Sequence, residues 1–118
     1  MLKIYSYEKC STCKKALAWL KASGLAAEVL PIVEQPPTSA ELETMLGHVG
    51  DLKKLFNTSG ELYREMKMSE RLPSMSKGDA LKLLSTHGKL VKRPFLLGDG
   101  FGCVGFKEDE WSEKVRVK

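Results

Sequence analysis

Leu2-Lys3-Ile4-Tyr5-Ser6-Tyr7-Glu8-Lys9-Cys10-Ser11-Thr12-Cys13-Lys14-Lys15-Ala16-Leu17-Ala18-Trp19-Leu20 is the stretch that decides the fold. Residues 2–7 alternate apolar and polar side chains and are rich in Tyr and Ile, the pattern of a half-buried strand. From Lys14 onward the pattern changes. Ala and Lys are strong helix formers, Leu17 and Leu20 make an inward stripe beside Trp19, and Gly24 suits a helix end. The two cysteines therefore fall where a strand hands over to a helix.

Working outward, residues 27–33 read as a second strand, parallel to the first if the helix is a crossover. Pro36-Pro37 breaks the chain, and Thr38 or Ser39 caps a helix that ends at His48-Val49-Gly50. Short helices are expected at 51–56 and 61–66, separated by an Asn57-Thr58-Ser59-Gly60 turn. A longer helix is expected at 76–87, closed by Gly88. Near the end, 93–97 and 102–106 read as an antiparallel hairpin turning at Gly98-Asp99-Gly100. A final helix over 107–114 is anchored by Trp111. The expected fold class is α/β: a thioredoxin-like, glutaredoxin-type mixed four-stranded sheet. It forms one domain over residues 1–118 with a helical insertion at about 38–88.

Composition bounds the function. With 42% hydrophobic and 29% charged residues in 118, the chain has the make-up of an ordinary globular domain. No apolar run approaches 18 residues, so no membrane span is expected. The first residues hold no long apolar stretch and no small-residue cleavage site, so no secretory signal is expected and the cytoplasm is the expected compartment. Three cysteines are too few for a secreted disulfide scaffold. The net charge of +4 is mildly basic, and the basic residues are spread along the chain rather than gathered in one block. Direct nucleic-acid binding is not expected on that ground.

Cys10-Ser11-Thr12-Cys13 carries the chemistry. The nucleophile in thiol exchange is the thiolate. A sulfur at a helix N-terminus meets backbone N–H groups and the positive end of the helix dipole. Lys9, Lys14 and Lys15 add positive charge. Cys10 is therefore assigned the attack, and Cys13, one turn into the helix, the resolution of the mixed disulfide. A zinc site is the competing reading, but Cys103, His48 and His87 show no ligand spacing that would complete it. In a thioredoxin-type frame Pro94 would be a cis proline opposite the cysteines, with Arg93 placing a cation beside the thiolate. A trans edge-strand proline with an exposed arginine is the alternative.

These segments, together with Leu55-Phe56-Asn57-Thr58-Ser59-Gly60-Glu61-Leu62-Tyr63-Arg64-Glu65 and Val104-Gly105-Phe106-Lys107-Glu108-Asp109-Glu110, resemble the arsenate reductase (ArsC)/Spx family over almost the whole chain. The match is nearest to its reductase-like branch with Cys-x-x-Cys, Asn-Thr-Ser-Gly and Val-Gly-Phe. The resemblance implies a thioredoxin-like domain and a cis Pro94. It also implies a thiol-dependent reductase acting on a thiol, a disulfide or an oxyanion. No bound cofactor is implied; glutathione, a thioredoxin or a glutaredoxin would serve as reductant. Its arsenate reductases hold the oxyanion with three arginines. Arg93 matches one, but Asn57 and Gly105-Phe106 stand where the others fall, and Arg64 is the candidate substitute. Losing two charge-assisted contacts of about 1.5–3 kcal/mol each weakens arsenate binding by orders of magnitude. Efficient arsenate reduction is therefore not expected. The Spx branch implies a different role, a redox-switched regulator that binds the C-terminal domain of the RNA polymerase α subunit.

The remaining residues read as structural. Cys103 is a small apolar residue on a strand. His48 and His87 sit at helix ends, Met66, Met68 and Met75 fill the insertion, and Trp19 and Trp111 are packing anchors. Tyr63 belongs either to the core or near the site.

Overall fold

The first strand, β1 (Leu2–Ser6), lies inside the sheet, and the computed structural model, which describes residues 2–115, builds everything else around it. On one side β1 pairs in parallel with β2 (Ala27–Pro31), Ile4 facing Val29. On the other it pairs antiparallel with β3 (Phe95–Gly98), which pairs antiparallel with β4 (Phe101–Val104). The sheet order is β2-β1-β3-β4. This mixed four-stranded sheet with helices on both faces is the thioredoxin-like arrangement, as expected.

The period-two alternation of β1 sorts the core. Ile4 points to one face with Leu96 and Cys103, where it meets Ala16 and Leu20 of α1 (Ser11–Ala22) and Trp111 of α6 (Glu108–Lys114). Tyr5 and Phe95 point to the other, where Leu42 and Met45 of α2 (Ser39–Val49) and Ala80, Leu81 and Leu84 of α5 (Lys77–Thr86) cover them. The insertion thus builds the core of one whole face.

Local chemistry sets the helix ends. The Gly24 N–H bonds the Lys21 carbonyl and the Leu25 N–H the Leu20 carbonyl, with Gly24 at φ +70°, a Schellman stop. Thr38, not Ser39, caps α2. Its hydroxyl takes the Glu41 N–H, and the Glu41 carboxylate takes the Thr38 N–H in return, a capping box.

Three details differ from the sequence reading. The expected 51–56 helix is a single 3-10 turn, Leu52–Leu55. After α3 (Glu61–Glu65) the chain makes a further short helix, α4 (Met68–Arg71), and a 3-10 turn, Leu72–Ser74, that were not foreseen. Lys67 enters α4 at φ +53°, a left-handed step usually flagged by Gly or Asn. Gly88 does not close α5 as a left-handed cap. It opens a 3-10 turn, Gly88–Leu90, and a Cβ there would lie 1.9 Å from the Ile32 carbonyl oxygen. Close approach of two backbones is what demands glycine.

Candidate active site

β1 and the loop after it deliver Cys10 to the end of the sheet where β3 begins and β4 ends. Cys10 is the N-cap of α1, with extended backbone and its sulfur turned back over the first turn. The Cys13 N–H donates to the Cys10 sulfur at 3.3 Å, and the Cys10 N–H is held by the Tyr7 carbonyl at 3.0 Å. No acidic residue occupies the first turn of α1.

The two sulfurs have opposite environments. Burial pushes the Cys10 thiol up, but the backbone N–H and thiol of Cys13 and the neighbouring Arg93 guanidinium outweigh it, and the net shift is down. Cys13 is fully buried. Burial above all, with the adjacent Cys10 sulfur adding to it and the Tyr7 backbone N–H opposing, pushes it up to about 12. One thiol is poised to ionise and its neighbour to stay protonated. Cys10, Cys13 and Cys103 are all free thiols, and Cys103 is fully buried. Among the described residues no group of His, Cys, Asp or Glu is placed to hold a metal ion.

The Arg93-Pro94 peptide bond is cis, and the Pro94 carbonyl accepts the Gly105 N–H at 2.9 Å, tying the step to the end of β4. The Arg93 guanidinium lies over the Tyr7 ring, 4.7 Å from its centroid. Its Nη1 is buried without a partner, which leaves a charged donor facing inward with bonding capacity to spare. Beside it opens a pocket of about 180 Å³ lined by Arg93, Tyr7, Asn57, Gly60, Glu61, Leu62 and Lys89.

Sequence-expected residues separate accordingly. Cys10, Cys13 and Arg93 come together, and Pro94 follows Arg93 through the cis bond. Lys14, in the first turns of α1, lines a groove with Tyr7, Leu17 and Val29 rather than the pocket beside Arg93. Arg64 is exposed and donates to the Ser59 carbonyl at 3.5 Å, outside the pocket beside Arg93. Tyr63 is buried, edge-on to Phe56. Tyr7 and Lys89 were missed. Tyr7 carried a readable signal, an aromatic ring three residues before the first cysteine. Lys89 carried none, because a 3-10 turn places it.

The ArsC family pattern matches residues 5–114. The chain belongs to the ArsC family. It is 45% identical to the uncharacterized protein YusI of Bacillus subtilis over 113 residues, spanning 95% of this chain and 96% of that one. It is 28% identical to an arsenate reductase of Neisseria meningitidis (88% and 89% covered) and 28% identical to the global transcriptional regulator Spx of Enterococcus faecalis (93% and 83% covered). Among solved structures, an ArsC family related protein from Bacteroides fragilis superimposes with a TM-score of 0.90 at 41% identity, with 95% of each chain covered. In this ArsC-family chain, Asn57 lines the pocket beside Arg93 where the resemblance placed a second arginine, so the cation sharing that pocket is Lys89.

Proposed function

We propose that this protein is a cytoplasmic thiol–disulfide oxidoreductase in which Cys10 attacks and Cys13 resolves. The observation that carries this reading is the split between the two sulfurs, one lowered by donors and a cation, its neighbour buried and raised. The Cys10 thiolate attacks one sulfur of a substrate disulfide, forming a mixed disulfide and expelling the other sulfur as a thiolate. The Cys13 thiol gives its proton to solvent or to the leaving thiolate and attacks the Cys10 sulfur. A Cys10–Cys13 disulfide forms and the second substrate thiolate leaves. The substrate gains two electrons and the protein loses two. Two glutathione thiols, or a thioredoxin or glutaredoxin dithiol, restore the reduced pair. The free Nη1 of Arg93 suits an anionic group on the substrate.

The test is turnover of a glutathione mixed disulfide and of arsenate by wild type, Cys10→Ser and Cys13→Ser. The expected result is disulfide reduction by wild type, none by Cys10→Ser, and a trapped Cys10 adduct in Cys13→Ser. Unchanged turnover in Cys10→Ser sinks the assignment. Slow or absent arsenate turnover is expected, since Asn57 and Gly105 offer no guanidinium.

A second reading rests on the similarity to Spx over most of that regulator's length. There the Cys10–Cys13 pair is a redox switch governing association with the C-terminal domain of the RNA polymerase α subunit. Capture by that purified domain in one redox state only supports it. Absence of binding in both states rejects it.

A further inference from the structure

Basic residues that look dispersed along the chain are brought together by the fold. Lys53 and Lys54 from the 3-10 turn after α2, Lys92 before the cis proline, Lys107 after β4 and Lys114 at the end of α6 all line one open cleft of about 470 Å³. Two carboxylates share it, and both are engaged. Asp51 accepts the Lys53 backbone N–H at 3.0 Å, and Glu110 pairs with Lys114 at 3.5 Å. Lys53, Lys54, Lys92 and Lys107 have no carboxylate partner among the described residues. Five lysines against two carboxylates leave an excess of three positive charges, most of the chain's +4, in one concavity. A concave wall with one sign of charge focuses the field and raises the local concentration of an opposite charge.

The cleft is joined to the thiol site through the backbone. Lys92 directly precedes Arg93, and its N–H bonds the Leu55 carbonyl at 2.8 Å, joining the lysine-bearing turn to the cis-proline step. The floor between the cations is apolar, formed by Val49, Phe56 and Val104. Phe56 is only 1% exposed, so it offers no face for stacking a base. A ligand whose own carboxylates meet the lysines at the rim while its aliphatic side chains cover the floor is an acidic polypeptide rather than a nucleic acid.

We propose that this cleft docks an acidic, aliphatic-containing segment of a protein substrate, presenting the substrate's neighbouring disulfide to Cys10. The substrate class thus named rests on the exchange chemistry above; the binding does not.

Binding is measured by fluorescence anisotropy on Cys10→Ser, so that no covalent capture contributes. The probes are a labelled peptide of Glu-Glu-Leu-Gly repeats, its Gln counterpart, and an oligothymidylate of equal length. The acidic peptide is expected to bind saturably, more weakly as salt rises, and the Gln peptide to bind far less. Lys54→Glu with Lys107→Glu, both exposed positions, is expected to weaken binding about tenfold or more. Equal binding by that variant, no saturable binding, or oligothymidylate binding as tight as the peptide's overturns the proposal. In the wild type, a disulfide attached to the acidic peptide is expected to be reduced with a lower KM than one on the Gln peptide, at similar kcat. Equal KM values overturn the docking role. Saturable acidic-peptide binding with neither disulfide reduced supports the docking surface and counts against the exchange chemistry instead.

Discussion

The backbone N–H of Cys13 donates to the sulfur of Cys10 across 3.3 Å, so the resolving residue helps to ionise the attacking one. That bond belongs to the peptide backbone and survives substitution of the Cys13 side chain. Arg93 acts separately, through its charge and hydrogen bonding. Arg93→Ala is therefore expected to move the Cys10 ionisation to higher pH, since the lost cation favoured the thiolate. Thiolate absorbance against pH checks it. A titration identical to wild type removes Arg93 from the site's electrostatics.

Alkylation should expose the same asymmetry. Cys10 is half-buried with its pKa lowered, whereas Cys13 and Cys103 are fully buried with thiols pushed up to about 12 and about 11, chiefly by burial. Iodoacetamide at neutral pH is expected to modify Cys10 alone in the folded protein and all three after denaturation. Mass mapping of the labelled peptides reads the outcome. Rapid labelling of Cys103 in native conditions would contradict its burial against α1 and α6.

The legible parts of the sequence were those where local chemistry and tertiary need agree. The alternation of β1, the Cys-x-x-Cys at its exit, Gly24 after α1 and Thr38 before α2 each say locally what the fold does globally. Residues 67–75 were silent. Lys67 makes a left-handed step without a residue type that announces it, and Pro73 sits in the 3-10 turn that follows α4. At the site, Cys10, Cys13, Arg93 and Pro94 were readable from position. Lys89 and the lysine cleft were not, because they arise from elements far apart in sequence meeting at one end of the sheet.

Glu41 ties that sheet to α2. Its carboxylate accepts the buried Tyr5 hydroxyl at 2.6 Å, the Lys3 ammonium at 2.8 Å and the Thr38 N–H at 3.0 Å. Burial disfavours its charged form and pushes its pKa up, but the bonds from Lys3, Tyr5 and Thr38 outweigh that and leave it below the ordinary value of 4.5. A carboxylate lowered by folding stabilises above its unfolded value, and that contribution fades as pH falls through the lower folded one. Glu41→Ala is expected to cost about 1–3 kcal/mol at neutral pH, because Tyr5 keeps a buried hydroxyl without a partner. Adding Tyr5→Phe should recover part of the loss. Denaturant midpoints should show the gap to wild type narrowing below pH 4.5. A gap independent of pH would show that the charge is not what stabilises.

Gly88 tests the packing of the insertion on β2's exit. A methyl group there meets the Ile32 carbonyl oxygen and, at 2.9 Å, the Val33 Cα, both backbone atoms that no rotamer change can move away. Gly88→Ala is expected to destabilise by about 1–3 kcal/mol or more through overpacking. Gly47→Ala, in α2 with open space around its Cβ position, is the control and should be neutral or mildly stabilising. Equal thermal midpoints for the two variants would refute the close approach.

Trp111 links α6 to the site. Its ring is fully buried, edge-on to Trp19 at 6.0 Å and to Phe106 at 4.9 Å, and its Nε1–H donates to the Gly105 carbonyl at 3.0 Å. Gly105 in turn donates to the Pro94 carbonyl, so the indole helps to fix the backbone of the Arg93-Pro94 step. Trp111→Phe keeps most of the ring packing and orphans one buried carbonyl, a cost of about 1–3 kcal/mol. Trp111→Ala also opens a cavity and is expected to cost about 3–5 kcal/mol. The two should differ at the thiol as well. If the indole N–H positions the Gly105–Pro94 link, Trp111→Phe will slow reduction of the glutathione mixed disulfide under conditions where the protein remains fully folded. Unchanged turnover, with only the denaturant midpoint lowered, would confine Trp111 to the core.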